Sequence, residues 1–362
     1  MRSESIVISG YYGFGNAGDE AILQATIAGI RQHVPQADIT VLSSDPAVTA
    51  AATGVRSLHR YRLRDLLCCM KPGGLLISGG GGLFQDVTSR RSLLYYLGIL
   101  RLARARGMKT MVYAQGVGPL YQASSRAMVR AVLARVNCIT VRDRGSADLL
   151  GLMGLSATVI ADPAFALAPA PRGRDRTILT AAGVPGDQPI IAVALRPWAA
   201  FTNDARTAVA WALGRQAAAH SAHIVLIDMH PSADGVESAA LAQTLGGICT
   251  RLDGPYSPEE IAAVLGISTA VVAMRLHAII LASLSGIPSV ALSYDPKVTV
   301  VCGQLGLPPA LDVRTLDAPA IDRALDAAFQ LDAPGRDAIR QAAAVQQHGA
   351  EQGFHIIQDL LT

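Results

Sequence analysis

Short runs of aliphatic and β-branched residues alternate with helix-length segments along almost the whole chain, and this alternation restricts the fold more than any other feature. The pattern predicts strands at 5–9, 39–42, 75–78, 110–114, 138–141 and 157–160, with helices at 20–33, 92–106, 126–134 and 144–153 between them. A helix inserted between successive strands gives βαβ units and a parallel sheet. A Pro- and Arg-rich stretch at 167–176 then breaks the rhythm. Beyond it the alternation resumes, with strands at 190–195, 223–228, 270–273 and 289–293 and helices at 202–219, 237–245, 258–265 and 278–285. Helices at 318–331 and 335–347 close the chain.

At 362 residues the chain exceeds one typical core. The expectation is therefore an α/β fold of two Rossmann-like doubly wound domains facing a cleft: residues 1–168, a linker at 169–177, and residues 178–362. The terminal helices have the option of packing back on the first domain. Aliphatic residues dominate a 51% hydrophobic content with only 5% aromatics, as buried parallel sheets require. In open sheets of this kind ligands bind at the carboxyl ends of the strands, so the loops that follow strands are the candidate ligand-binding segments.

Several functions lose support at once. A net charge of +3 with no dense Lys/Arg run leaves no electrostatic footprint for nucleic acid. Five cysteines, odd in number and without CxxC spacing, argue for a reducing compartment and against structural zinc. No HExxH, GxSxG or P-loop occurs. The apolar stretch at 6–10 is too short for a signal peptide, and 262–292 is interrupted by Arg275, His277 and Pro288. A cytoplasmic protein is expected, with peripheral contact at the inner face of the membrane left open. The basic, apolar segment 56–71 is a candidate for that contact, although a solvated face beside a core helix explains it as well.

The loop Gly10-Tyr11-Tyr12-Gly13-Phe14-Gly15-Asn16-Ala17-Gly18-Asp19-Glu20 contains a GxGxxG string. A dinucleotide pyrophosphate would have to sit where Asp19 and Glu20 open the helix, and two carboxylates there repel it. The pair instead caps the helix, with Asp19 aimed into the cleft. Gly79-Gly80-Gly81-Gly82 allows close backbone approach, and Gln85, Asp86, Thr88 and Ser89 behind it suit sugar hydroxyls. Arg142, Arg196 and Lys297 also fall at predicted strand ends, and Arg275-Leu276-His277 lies between an apolar strand and a helix. Either Arg275 pairs with an internal carboxylate and His277 is a core histidine, or both await an anion. The group as a whole would hold a small ligand bearing carboxylate and phosphate.

Gly-Tyr-Tyr-Gly…Asn16-x-Gly18-Asp19-Glu20, the glycine loop with Gln85-Asp86-x-Thr88-Ser89, Val141-Arg142-Asp143, Ala161-Asp162-Pro163, Met274-Arg275-Leu276-His277 and Ser293-Tyr294-Asp295-Pro296-Lys297 together resemble the polysaccharide pyruvyltransferase family, most closely its CsaB-type members. The resemblance implies a GT-B-like fold and an enzyme that transfers the pyruvyl group of phosphoenolpyruvate to two hydroxyls of one sugar, releasing phosphate. For such members it implies a 4,6-ketal on the terminal β-N-acetylmannosamine of a polyprenyl-diphosphate-linked cell-wall polymer precursor, whose product anchors surface-layer proteins.

His277 is then the expected general acid, and Asp19 the base or orienting group. Phosphoenolpyruvate would be bound by Arg142, Arg275, Leu276, His277, Arg196 and Lys297, with Arg142 contributed by the first domain so that closure assembles the site. The acceptor would meet Asn16, Gln85, Asp86, Thr88 and Ser89. No cofactor and no metal is expected, since phosphoenolpyruvate is a co-substrate and arginines neutralise its phosphate. The partners are the two substrates, and a homo-oligomer is compatible with everything above. The competing readings are a GT-B nucleotide-sugar glycosyltransferase and a non-enzymatic glycan-binding envelope protein.

Overall fold

The computed structural model describes residues 4–87, 89–186 and 188–361. The chain separates into two compact units, Met1–Leu167 with Gln347–Thr362, and Ala168–Gln346.

Unit 1 contains β1 (Ser5–Ser9), α1 (Ala17–His33), β2 (Asp38–Ser43), α2 (Pro46–Thr53), β3 (Arg56–His59), α3 (Leu63–Cys69), β4 (Leu75–Gly79), α4 (Arg90–Ala105), β5 (Lys109–Gln115), α5 (Ala123–Leu133), β6 (Cys138–Val141), α6 (Arg144–Leu152) and β7 (Thr158–Val159). Its seven strands are all parallel in the order β3-β2-β1-β4-β5-β6-β7. The central strands are apolar on both faces because both are covered. One face packs α3, α4 and α5 through Leu66, Leu97 and Val129. The other packs α1 and the chain's C-terminal residues through Leu23, Ile27 and Phe354.

Unit 2 contains α7 (Arg174–Ala181), β8 (Ile190–Ala194), α8 (Asn203–His220), β9 (His223–Leu226), α9 (Pro231–Leu245), β10 (Cys249–Arg251), α10 (Pro258–Gly266), β11 (Ala270–Ala273), α11 (Leu276–Ser283), β12 (Ser289–Ser293), α12 (Pro296–Gln304), β13 (Leu311–Asp312) and α13 (Ala318–Phe329). Its parallel order is β10-β9-β8-β11-β12-β13. The last helix, α14 (Ala333–Leu361), has residues in both units.

The α/β alternation predicted from sequence is therefore present, in two doubly wound parallel sheets. The strands it missed, β3, β10 and β13, are all sheet edges. An edge strand has one row of backbone groups unpaired and tolerates polar and charged side chains, so it lacks the apolar run of a central strand. Two further differences concern segment limits. The stretch expected as a linker at 169–177 runs into the first turn of α7, and α14 continues well past the expected end at 347.

In each sheet the strand order reverses once, between β1 and β4 in unit 1 and between β8 and β11 in unit 2. Loops leaving opposite sides of such a point diverge and open a crevice.

Candidate functional sites at the two switch points

In unit 1 the crevice lies between the loop after β1 and the glycine loop after β4. The N-cap of α1 is Asn16, not the acidic pair: its Oδ1 accepts the Gly18 amide at 3.1 Å. Glu20 turns back from the first turn and accepts the Gly13 amide at 2.8 Å. Its carboxylate thus occupies a loop amide that a pyrophosphate would use in a dinucleotide fold. Burial pushes the Glu20 pKa up, the Gly13 amide opposes this, and the neighbouring Asp19 adds to the rise, bringing it to about 7.

Asp19 stands over the glycine loop, with its Oδ1 only 2.9 Å from where a Cβ on Gly81 would be. Gly81 also has φ +77°, so both the conformation and the close approach demand glycine there. The loop is braced from below by Gln115, which is fully buried. Its Nε2 donates to Gly80 O at 3.0 Å and its Oε1 accepts the Leu83 amide at 3.2 Å. A register shift in β5 and the left-handed Ala114 (φ 47°) deliver Gln115 to this position. Backbone strain of this kind collects where neighbouring groups dictate the geometry.

Arg142 follows β6 and is 9% exposed. Its Nη1 donates to Asp162 Oδ2 at 2.6 Å, and its Nε and Nη2 run along Gly116, 3.3 and 3.2 Å from where a Cβ would sit. Burial opposes its charge, but Asp162 outweighs this, with Asp143 and Asp19 acting in the same direction, and the pKa lies above the ordinary arginine value. Asp19, Gly81, Gly116, Arg142 and Asp162 therefore form one polar cluster.

The other acceptor-side residues have local duties. Asp86 accepts the Tyr121 and Gln122 amides at 2.8 and 2.9 Å, tying the glycine loop to the start of α5. Burial acts upward on its pKa, but those amides outweigh it and hold the carboxylate below the ordinary value. Gln85 accepts the Val87 amide at 2.7 Å, and Ser89 is the N-cap of α4, accepting the Ser92 amide at 3.3 Å. Thr88 lies outside the described residues.

Sequence reasoning did not find the role of Arg60. This side chain, 2% exposed, donates to Gly10 O at 3.0 Å and Tyr96 Oη at 3.1 Å, with its guanidinium over Tyr95 at 4.3 Å and over Phe14 at 5.2 Å. It is a cationic post that fixes the loop leading to Asp19.

In unit 2 three adjacent strands supply the remaining candidates. Arg196 follows β8, Arg275-Leu276-His277 follows β11, and Lys297 follows β12. The amides of Met274 and Arg275 both donate to Ala194 O, at 3.0 and 3.3 Å, which fixes the first two loops against each other. Arg275 is the N-cap of α11, and His277, half-buried, lies in its first turn. Leu276 is buried in the core at 6% exposure, so its side chain packs inward.

Of the two alternatives for Arg275, an internal carboxylate is present. Asp234 of α9 is completely buried and takes both Nε, at 2.9 Å, and Nη2. The same Asp234 accepts the His230 amide at 2.9 Å. No periodicity flagged Asp234, because an acid in a helix reads as solvated until the facing strand end is known.

Arg196 differs. It donates to Tyr294 Oη at 3.1 Å and its guanidinium lies over the Tyr294 and Trp198 rings at 4.9 and 5.6 Å. Among the described residues it has no carboxylate partner. Lys297 lies 3.3 Å from Asp295 and 5.5 Å from the Tyr294 ring centre. Tyr294 therefore organises both cations, a role that only the strand-end position hinted at. Among the described residues no group of three His, Cys, Asp or Glu side chains is placed to hold a metal ion.

The family model for polysaccharide pyruvyl transferase matches residues 16–296, from the N-cap of α1 to the first residue of α12. No curated relative matches the chain. Among solved structures, UDP-GlcNAc 2-epimerase from Neisseria meningitidis bound to UDP-GlcNAc is similar over 98% of this chain and 99% of its own, with a TM-score of 0.64 at 10% identity. The Staphylococcus aureus MnaA–UDP structure has a TM-score of 0.65 at 10% identity, over 96% and 94% of the two chains. A glycosyltransferase from Rickettsia africae has 0.59 at 11%, over 99% and 96%. These likenesses show the fold, an α/β architecture shared with GT-B glycosyltransferases and epimerases.

Proposed function

The chain belongs to the polysaccharide pyruvyl transferase family, and we propose that it transfers the pyruvyl group of phosphoenolpyruvate as a ketal onto two hydroxyls of one glycan sugar. The observation that carries this reading is Arg196, a strand-end cation with no carboxylate partner among the described residues, on the strand next to the one that leads to His277. A cation held by aromatic rings beside a helix N-terminus is prepared for an oxyanion. Arg196 is accordingly the principal donor clamp, with Lys297 as a second cation. Arg275 acts chiefly by holding the β11 end against α9, which sets the direction of His277. Leu276 contributes by packing.

In the reaction, His277 as imidazolium gives a proton to C3 of phosphoenolpyruvate, leaving C2 electrophilic. One sugar hydroxyl forms a bond to C2 and releases its proton to a carboxylate. The second hydroxyl then bonds to C2 as the C2–O bond to phosphate breaks, and its proton leaves with the phosphate or returns to His277. In unit 1 the carboxylate is Asp19, with Glu20 next to it poised near neutrality. Arg142 offsets the charge gathered on Asp162 and Asp19.

The acceptor proposed is the terminal β-N-acetylmannosamine of a polyprenyl-diphosphate-linked cell-wall polymer precursor, as in CsaB-type members. The test is phosphate release from phosphoenolpyruvate with and without a soluble glycan ending in that sugar, with mass spectrometry of the glycan. Acceptor-dependent release and a glycan heavier by pyruvate less water support the proposal. No release, together with thermal stabilisation by a nucleotide-sugar, would replace it with glycosyl transfer.

A further inference from the structure

Charge is distributed very unevenly along this chain. Residues 46–142 hold fifteen Lys or Arg and two acids, Asp65 and Asp86, although the whole chain has a net charge of only +3. Both acids are engaged locally, Asp65 with the His59 amide at 3.2 Å and Asp86 with the amides before α5. Some of the cations are internal, such as Arg60 in its aromatic ring and Arg142 on Asp162. Others are engaged elsewhere, Lys71 with Asp38 at 3.7 Å and Lys109 with Leu360 O at 2.6 Å, but six arginines share one location. The buried sides of α3, α4 and α5 enter one core cluster through Leu66, Leu97 and Val129, so their opposite sides form one outer surface.

On that surface Arg62 and Arg64 at α3, Arg101 and Arg104 on α4, and Arg130 and Arg135 at α5 are all exposed. None of these six enters an ion pair among the described residues. Between α4 and α5 lies a groove of about 610 Å³ that Arg101, Arg104, Arg130 and Arg135 rim over a floor of alanines. Four guanidiniums around one groove with no carboxylate repel one another, and only an external anion relieves this.

The same surface carries large apolar groups. Tyr61 is 61% exposed, Leu63 62% and Leu67 40%, all at α3, and Leu94 on α4 is 47% exposed. Tyr61 lies edge-on to Tyr95 of α4, centroids 5.1 Å apart, so α3 and α4 present these groups together. A soluble polyanion would use the arginines and leave the leucines in water. A bilayer uses both, taking leucine and tyrosine into the headgroup region and binding arginine at lipid phosphates.

We infer that the outer face of α3, α4 and α5 docks on an anionic phospholipid membrane. None of these surface residues is among those assigned to transfer, and the surface would serve whichever transfer reaction the sites perform.

The test is co-sedimentation of the full chain with vesicles of phosphatidylcholine alone and of two parts phosphatidylcholine to one part phosphatidylglycerol. Binding is expected only to the second, and it should weaken as salt is raised. Each cation at such a surface contributes about fivefold in affinity, so Arg101→Ala/Arg130→Ala should weaken binding by about 25-fold. Leu63→Ser/Leu67→Ser should also weaken it, with circular dichroism melting checking that both variants fold. No binding to the anionic vesicles would overturn the inference. So would equal binding to a DNA duplex with the Leu63→Ser/Leu67→Ser variant unaffected, since that describes a general polyanion surface.

Discussion

Arg275 grips Asp234 at two points, with Nε 2.9 Å from Oδ2 and Nη2 on Oδ1, and the carboxylate has no exposed surface. The pair joins the β11 end to α9, so the residue most suggestive of ligand binding in the sequence is also a structural strut. Removing one partner of a buried pair leaves an uncompensated charge. Asp234→Ala should therefore lower stability by about 3–5 kcal/mol in urea denaturation. An unchanged midpoint would remove the strut assignment.

His277 and Arg196 should respond differently. His277→Ala should fold normally and lose turnover by about 10²–10⁴-fold, as expected for loss of a general acid. Arg196→Ala should chiefly raise KM for phosphoenolpyruvate. Arg196→Lys should recover only part of the loss, because an ammonium keeps the charge but not the planar fork. Full turnover by a folded His277→Ala protein, measured as phosphate release, would reject the acid role.

Glu20 should make stability depend on pH near neutrality. Its pKa rises from 4.5 to about 7 on folding, so between those values the folded protein holds a proton that the unfolded chain has released. Its stabilising contribution is complete below the ordinary value and is lost as pH rises through about 7. The whole window corresponds to about 3 kcal/mol. Glu20→Gln keeps the acceptor for the Gly13 amide and should flatten this part of the profile. Parallel pH profiles for the two proteins would contradict the raised pKa.

Two helical glycines make a paired prediction. A Cβ on Gly353 in α14 would come within 2.7 Å of Tyr113 Cε2 and 2.8 Å of Ile160 Cδ1, whereas one on Gly98 in α4 would meet nothing within 4 Å. Gly98→Ala should stabilise by about 1 kcal/mol through helix propensity. Gly353→Ala should destabilise by about 1–3 kcal/mol, because overpacking exceeds that gain. Thermal melts of the two variants should move in opposite directions.

Much of the fold was legible because central parallel strands must be apolar on both faces, as Leu75-Leu76-Ile77 and Ala270-Val271-Val272 are. The strand-end positions of Arg142, Arg196, Arg275 and Lys297, and the helix-start position of Asp19, followed from the same alternation. Their partners did not. Asp162, Asp234 and Tyr294 lie 20, 41 and 98 residues away along the chain from the arginines they engage.

The sequence by itself determined the central strands of the parallel sheets and which residues leave their carboxyl ends, since burial on both faces writes a continuous apolar run into each central strand. Tertiary structure alone decided what each charge does there. It gave Arg275 to Asp234, Arg142 to Asp162 and Arg196 to Tyr294, and it carried α14 past residue 347 by seating Gly349 and Gly353 against Ala161 and Tyr113. The physical reason is range. Hydrophobic periodicity acts over a few residues, whereas a buried charge must be neutralised by whatever side chain the fold brings within a few ångströms.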